Sequence, residues 1–236
     1  GCWSTYSSEG IRVYEDFFMF IKICGITREE DALLATALGA DAVGFIFAPS
    51  TRQIAVSRAR DIARQLPADV LTVGVFRDAG KEKVMDTVNR ANLRAVQLHG
   101  RESPAECQWV AERVPVTIRG LPAGSPELNR FDDFGADVLL LDSPSPGSGK
   151  VFDWALTEGA PSNRRILLAG GLTPENVGTA IEQVNPWGVD TATGVESEAG
   201  RKDPRKLRAF IEAARAAEPE EYPGLKNRPF NWEEEL

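Results

Sequence analysis

FIKICGITREEDALLATALGADAVGFIF, residues 20–47, sets the pattern on which the chain is built. Its ends, Phe20–Cys24 and Ala42–Phe47, are nearly continuous in apolar residues, as parallel strands covered on both faces are. Between them an amphipathic stretch over 28–38 reads as a helix, and Gly39 stands where it should stop. The alternation then repeats. Further strands are expected at Leu71–Phe76, Ala95–Leu98, Val116–Arg119, Val138–Asp142, Ile166–Ala169 and Gly188–Thr191. Helices are expected near 57–66, 81–91, 103–113, 126–135, 153–158, 174–184 and 204–217, those at 126–135 and 153–158 being short. Eight strand–helix alternations imply an α/β fold. Residues 19–216 allot about 25 to each unit, which suits a compact single-domain (β/α)8 TIM barrel. The competing reading is an open doubly wound sheet, but no Gly-x-Gly-x-x-Gly follows the first strand to support it.

Helix starts carry capping chemistry. Thr27-Arg28-Glu29-Glu30 and Ser103-Pro104-Ala105-Glu106 read as capping boxes, and Thr173-Pro174 and Asp203-Pro204 as caps ahead of a first-turn proline. Outside the barrel, residues 1–18 read as an N-terminal extension unlike a signal peptide, with packing on the barrel or a partner as the alternative. Residues 217–236 read as an acidic, Pro- and Glu-rich tail. Composition narrows the function. The chain has 236 residues, a formal net charge of −8 and a single histidine. One histidine rules out a multi-histidine metal site, and Cys2, Cys24 and Cys107 lack zinc-knuckle spacing. Acidity argues against nucleic acid or an anionic membrane as main partner, and no apolar run is long enough to span a bilayer. Free thiols suit a reducing compartment, so a cytoplasmic protein is expected, as monomer or homodimer.

In a barrel, chemistry gathers at the C-terminal ends of strands. Cys24 ends the first strand before a helix start, whose dipole should lower its pKa; a plain core cysteine is the alternative. Arg52 follows the second strand and suits a carboxylate clamp, if it is not simply solvated. His99 follows the fourth, as a ligand contact or a structural residue. Asp142 ends an apolar sixth strand, where desolvation would favour the protonated acid; a turn aspartate is the other reading. Glycine-rich segments follow the last three strands: Gly147-Ser148-Gly149-Lys150, Gly170-Gly171 and Thr193-Gly194. Loops after strands seven and eight often cradle a phosphate, so one phosphate site is expected. Arg119, ending the fifth strand, is either ligand-facing or ion-paired.

Seven collinear segments carry a family resemblance: Lys22–Thr27, Gly44–Phe47, Gln97–Gly100, Leu141–Ser143, Gly147–Trp154, Leu168–Leu172 and Gly188–Asp190. Together they resemble phosphoribosylanthranilate isomerase. The resemblance implies an Amadori rearrangement of N-(5-phosphoribosyl)anthranilate to 1-(2-carboxyphenylamino)-1-deoxyribulose 5-phosphate, in tryptophan biosynthesis, with no metal or cofactor. It implies that Cys24 is the general base and Asp142 the general acid. Arg52 would hold the anthranilate carboxylate, and Gly149, Gly171 and Gly194 the phosphate, with His99, Gly170 and Thr193 also against the substrate. One departure stands out: relatives commonly carry a serine pair where this chain has Ala192-Thr193, so one hydroxyl is missing. The alternatives are a catalytically silent sugar-phosphate-binding barrel and a histidine-pathway isomerase of a two-phosphate sugar. The latter would want Asp at position 24 and a second phosphate cradle.

Overall fold

The computed structural model describes residues 19–142 and 164–218. The expected extension over 1–18, the segment containing Gly149, the helix over 153–158 and all but the first two residues of the tail lie outside them.

Eight parallel strands close into a barrel in chain order. They are β1 (Phe20–Ile23), β2 (Ala42–Ile46), β3 (Leu71–Phe76), β4 (Ala95–Leu98), β5 (Val116–Pro122), β6 (Val138–Asp142), β7 (Arg165–Leu168) and β8 (Gly188–Thr191). Strands β1 and β8 pair from Phe20–Gly188 to Ile23–Thr191, which shuts the cylinder. Helices α1 (Glu29–Ala37), α2 (Val56–Ala63), α3 (Lys81–Ala91), α4 (Pro104–Ala111), α5 (Val177–Val184) and α6 (Pro204–Ala216) lie between or after strands. The segment expected as a helix near 126–135 is a 3-10 stretch, Pro126–Phe134, interrupted at Arg130. A hairpin of β9 (Glu196–Glu198) and β10 (Arg201–Lys202) follows β8.

Successive residues of a strand face opposite sides, and the apolar residues divide accordingly. Phe20, Ala42, Leu71, Val73, Ala95, Val116, Ile118, Val138, Leu140 and Leu167 form an inner cluster built without helix residues. Ile21, Ile23, Val43, Phe45, Val96 and Val189 join helix residues such as Ala35, Ile62, Val88, Ile181 and Phe210 in an outer layer. Phe20 stacks on Trp187 at 4.5 Å between ring centres, filling the N-terminal end of the lumen.

The capping expectations divide. Ser103 forms a complete box with Glu106, and Asp203 accepts from the amides of Arg205 and Lys206. Gly135 ends its segment in the left-handed region at φ +63°. Thr27, however, does not cap α1. Its hydroxyl donates to the Gly200 carbonyl at 2.5 Å, and α1 starts from Arg28 with no side-chain cap. Thr173 does not cap α5 either. The helix starts at Val177 from Asn176, and Thr173 holds the preceding turn, accepting from the Glu175 amide.

Arg119 is the ion-paired alternative. It is fully buried, donates to Glu102 at 2.7 Å, and donates to the carbonyls of Leu98 and Gly100. Its guanidinium lies over the Phe134 ring, away from the lumen. Glu102 also accepts from the amides of Asp78 and Gly100, so this pair ties the loops after β3 and β4 to β5.

Candidate active site

Alternation along the strands that turns Phe20 inward also turns Lys22 and Cys24 inward. Lys22 and Asp190 are direct register partners across the β1–β8 seam, and Nζ donates to Oδ1 at 2.9 Å. The lysine is wholly buried. Burial disfavours the ammonium, but Asp190 and Cys24 together hold its pKa above the ordinary lysine value. On the neighbouring strand Gly44 leaves room for both groups: a Cβ there would stand 2.8 Å from Cys24 Sγ and 3.3 Å from Lys22 Nζ. Cys24 is 6% exposed. Its pKa is raised, because burial outweighs the opposing pull of Lys22 and Lys202. This corrects the expectation that a helix dipole would lower it. Helix α1 begins only at Glu29, its first turn is Glu29-Glu30-Asp31, and desolvation of the thiol is the larger effect.

Above the seam the hairpin adds a second network. Lys202 Nζ donates to the Cys24 carbonyl at 2.7 Å, to the Ala192 carbonyl at 2.9 Å and to Glu196 at 3.1 Å. Burial pulls the Lys202 pKa down, with Glu196 opposing. Arg52 grips Glu196 through two parallel bonds, Nε to Oε1 at 2.8 Å and Nη2 to Oε2 at 2.6 Å. Burial alone would raise the Glu196 pKa, but the Arg52 and Lys202 contacts keep it below the ordinary value. The stem of Arg52 lies over Gly25, where φ is +73° and a Cβ would stand 2.7 Å from Arg52 Cδ. Arg52 therefore sits at the Cys24 side of the mouth, where it is already held by a carboxylate.

Opposite the seam, Asp142 ends β6 and points into the mouth. His99 Nε2 lies 3.1 Å from Asp142 Oδ2, and Gln97 Nε2 lies 2.9 Å from His99 Nδ1. Both His99 and Asp142 keep partial exposure, at 33% and 25% of their side chains.

The loops after β7 and β8 meet. Gly170 and Gly171 adopt φ of +98° and +69°. Thr193 and Gly194 belong to a short 3-10 turn after β8. A Cβ on Gly194 would overlap the Leu172 carbonyl oxygen, so only glycine allows the two loops this approach. Thr191 donates to that same carbonyl at 2.8 Å. The backbone carbonyl of Ala192 accepts from Lys202, and its side chain offers no hydroxyl.

The structure thus brings Cys24, Arg52, His99, Asp142, Gly170, Gly171, Thr193 and Gly194 to one end of the barrel; Gly149 lies outside the described residues. Five participants had no assigned role in the sequence reading: Lys22, Gln97, Asp190, Glu196 and Lys202. The first three had a visible signal, a polar residue at an inward position of an otherwise apolar strand. Among the described residues no three His, Cys, Asp or Glu side chains gather as a metal site, and no helix is long and apolar enough to cross a membrane.

Comparison with known proteins gives the family. The family described as N-(5′-phosphoribosyl)anthranilate (PRA) isomerase matches residues 21–213. The N-(5′-phosphoribosyl)anthranilate isomerase of Desulforudis audaxviator is 48% identical over 201 residues, covering 84% of this chain and 98% of the relative. A solved phosphoribosyl anthranilate isomerase in complex with reduced 1-(o-carboxyphenylamino)-1-deoxyribulose 5-phosphate superposes with a TM-score of 0.74 at 39% identity, over 84% of this chain and all of that one. A monomeric form of the dimeric Thermotoga maritima enzyme superposes at 0.75 with 38% identity, over the same shares.

Proposed function

The chain belongs to the N-(5′-phosphoribosyl)anthranilate isomerase family of tryptophan biosynthesis, and on that premise we propose how its own residues carry the isomerisation. The supporting observation is the opposition of two groups across one mouth: Cys24 on β1 over a buried ammonium, and Asp142 on β6 against an imidazole. The substrate is N-(5′-phosphoribosyl)anthranilate, anionic at both ends. Its phosphate rests in the loops of Gly170, Gly171, Thr193 and Gly194, joined by Gly149. Its aryl carboxylate meets Arg52, which turns from Glu196 or shares its outer face. Holding both ends sets the sugar between acid and base.

Asp142 gives its proton to the ring oxygen as the C1–O bond breaks, and the nitrogen lone pair forms the C1–N double bond. Cys24 thiolate then takes the proton from C2, and its electron pair becomes the C1–C2 double bond of an enolamine. Ketonisation places a proton on C1 and removes one from the C2 hydroxyl. A Cys24 thiol and an Asp142 carboxylate are in the right states for those transfers and return to their starting forms. Each positioned side chain is worth roughly 10²–10⁴-fold.

All these groups come from one chain, so the reading serves a monomer or a homodimer alike. A free thiol base fits a reducing compartment such as the cytoplasm. The test is turnover by the purified chain, followed as loss of anthranilate-type fluorescence without added metal. Cys24→Ala and Asp142→Asn should each lower kcat by at least about 10²-fold. Normal turnover in both would sink the acid–base assignment. Arg52→Ala should raise KM; an unchanged KM removes Arg52 from the carboxylate role.

A further inference from the structure

Gln97 is a buried polar side chain that the mechanism above leaves unused. It stands on β4 two residues before His99 and is 2% exposed. Its Nε2 lies 2.9 Å from His99 Nδ1, while its Oε1 is buried and finds no donor among the described residues. His99 Nε2 lies 3.1 Å from Asp142 Oδ2. The imidazole is laid flat against β5 at Gly120, where a Cβ would stand 2.8 Å from Nδ1 and 2.9 Å from Cγ. The three side chains therefore form a line, carboxamide to imidazole to carboxyl, from the barrel wall to the mouth.

Protons can occupy this line in two ways. With the carboxamide as it stands, the Gln97 amide donates to Nδ1. The ring proton must then sit on Nε2, where it meets an Asp142 carboxylate, and Asp142 has no proton to give. The two ends of a carboxamide have nearly the same shape, so a half-turn exchanges donor for acceptor without displacing neighbours. Oε1 then accepts from an Nδ1–H, and Nε2 shares a second proton with Asp142. Only this two-proton form contains a carboxylic acid or its imidazolium–carboxylate equivalent. In the first orientation Oε1 is orphaned, so the half-turn breaks no hydrogen bond at that end of the carboxamide.

We propose that Gln97 is a positioning residue for the isomerisation, its carboxamide rotating to select between a one-proton and a two-proton state of the His99–Asp142 pair. The proposal rests on the reading of Asp142 as the acid. Ring opening spends one proton of the two-proton state on the ring oxygen as C1–O breaks. The proton released from the C2 hydroxyl on ketonisation restores it. Other charged groups facing the mouth come from the opposite side: Cys24 and Lys22 on β1, Asp190 on β8, and Arg52, Glu196 and Lys202 above them. Strands β2, β3 and β5 turn only apolar residues and glycine inward, Arg165 of β7 faces the far, N-terminal end of the lumen over Trp187, and Glu102 behind β4 is occupied by Arg119.

The chain has a single histidine, so imidazole-15N labelling yields one pair of ring signals, both from His99. In the wild type these should pass from the doubly protonated or Nδ1–H pattern to the Nε2–H pattern as pH rises. Gln97→Glu, which can only accept, should hold the Nδ1–H pattern to higher pH by about one unit, and Gln97→Met should lose it earlier. The high-pH limb of kcat should move in the same directions with KM little changed. A wild-type ring that keeps one tautomer from about pH 5 to 10 overturns the proposal without any variant, whatever the substitutions do to folding. So does a His99 titration identical in all three proteins. Full turnover by Asp142→Asn with a Gln97-dependent spectrum would remove the acid assignment. Loss of turnover by Asp142→Asn with a Gln97-independent spectrum would remove the role of Gln97 alone.

Discussion

As the proposed base, Cys24 starts at a disadvantage, because burial holds its proton on. Only the thiolate accepts a proton from carbon, and its population grows as pH climbs toward the raised thiol value. Wild-type kcat/KM should therefore rise with pH through the neutral and mildly alkaline range. Lys22→Met removes the nearest cation, so the thiol should ionise still later. Its activity near pH 7 should fall well below wild type and recover in part at higher pH. A pH–rate profile parallel to wild type at every pH would show that Lys22 does not act on the thiol. The same substitution leaves Asp190 buried and unpaired, at a cost of about 3–5 kcal/mol in denaturant unfolding. The places of Cys24 and Asp142 at the barrel mouth were legible in the sequence because a polar or nucleophilic residue ending an apolar strand stands out. Lys22 and Asp190 were visible as polar interruptions, but their partnership depends on the register by which β1 meets β8. Nothing local in Phe20–Ile23 or Gly188–Thr191 encodes that register.

The elements themselves were read almost to the residue where the chain is nearly continuous in apolar residues, since strands covered on both faces tolerate little else. Helix starts were less legible, because a hydroxyl chooses between the local amide and any stronger acceptor that folding brings near. Ser103 and Thr27 head the same four-residue motif and part company on this point. Ser103→Ala should cost about 1 kcal/mol of stability, read from the denaturation midpoint, with little effect on turnover. Thr27→Ala removes no cap. It frees the β1–α1 loop from Gly200 of the hairpin that carries Glu196 and Lys202, so its effect should fall on KM and kcat. A stability loss equal to that of Ser103→Ala with unchanged kinetics would contradict this division. The Pro126–Phe134 segment was short in the sequence reading and is 3-10 in the structure, its backbone leaving helical dihedrals at Arg130.

Over the whole barrel, stability leans on groups that cannot be removed singly. Glu102→Ala would strand a fully buried Arg119 and free the Asp78 and Gly100 amides, so about 3–5 kcal/mol should be lost, and less when Arg119→Met is added. A double variant no more stable than the single one would refute the pairing argument. Alkaline stability follows from the seam. Cys24 and Lys22 both hold protons more tightly folded than unfolded. Their contribution is complete below the unfolded thiol value of about 8.5, and it drains away as pH rises through the folded values. Melting temperature should accordingly decline above that point, and more gently in Cys24→Ala. The seam also sets a timetable. Lys22 and Asp190 stand 168 residues apart in the chain, on the first and the last strand of the barrel to be synthesised. A barrel still lacking β8 leaves that lysine without Asp190 and lacks the loop of Thr193 and Gly194. On the proposed reading, assembly and competence arrive together, because the acid–base site is incomplete until the eighth strand closes.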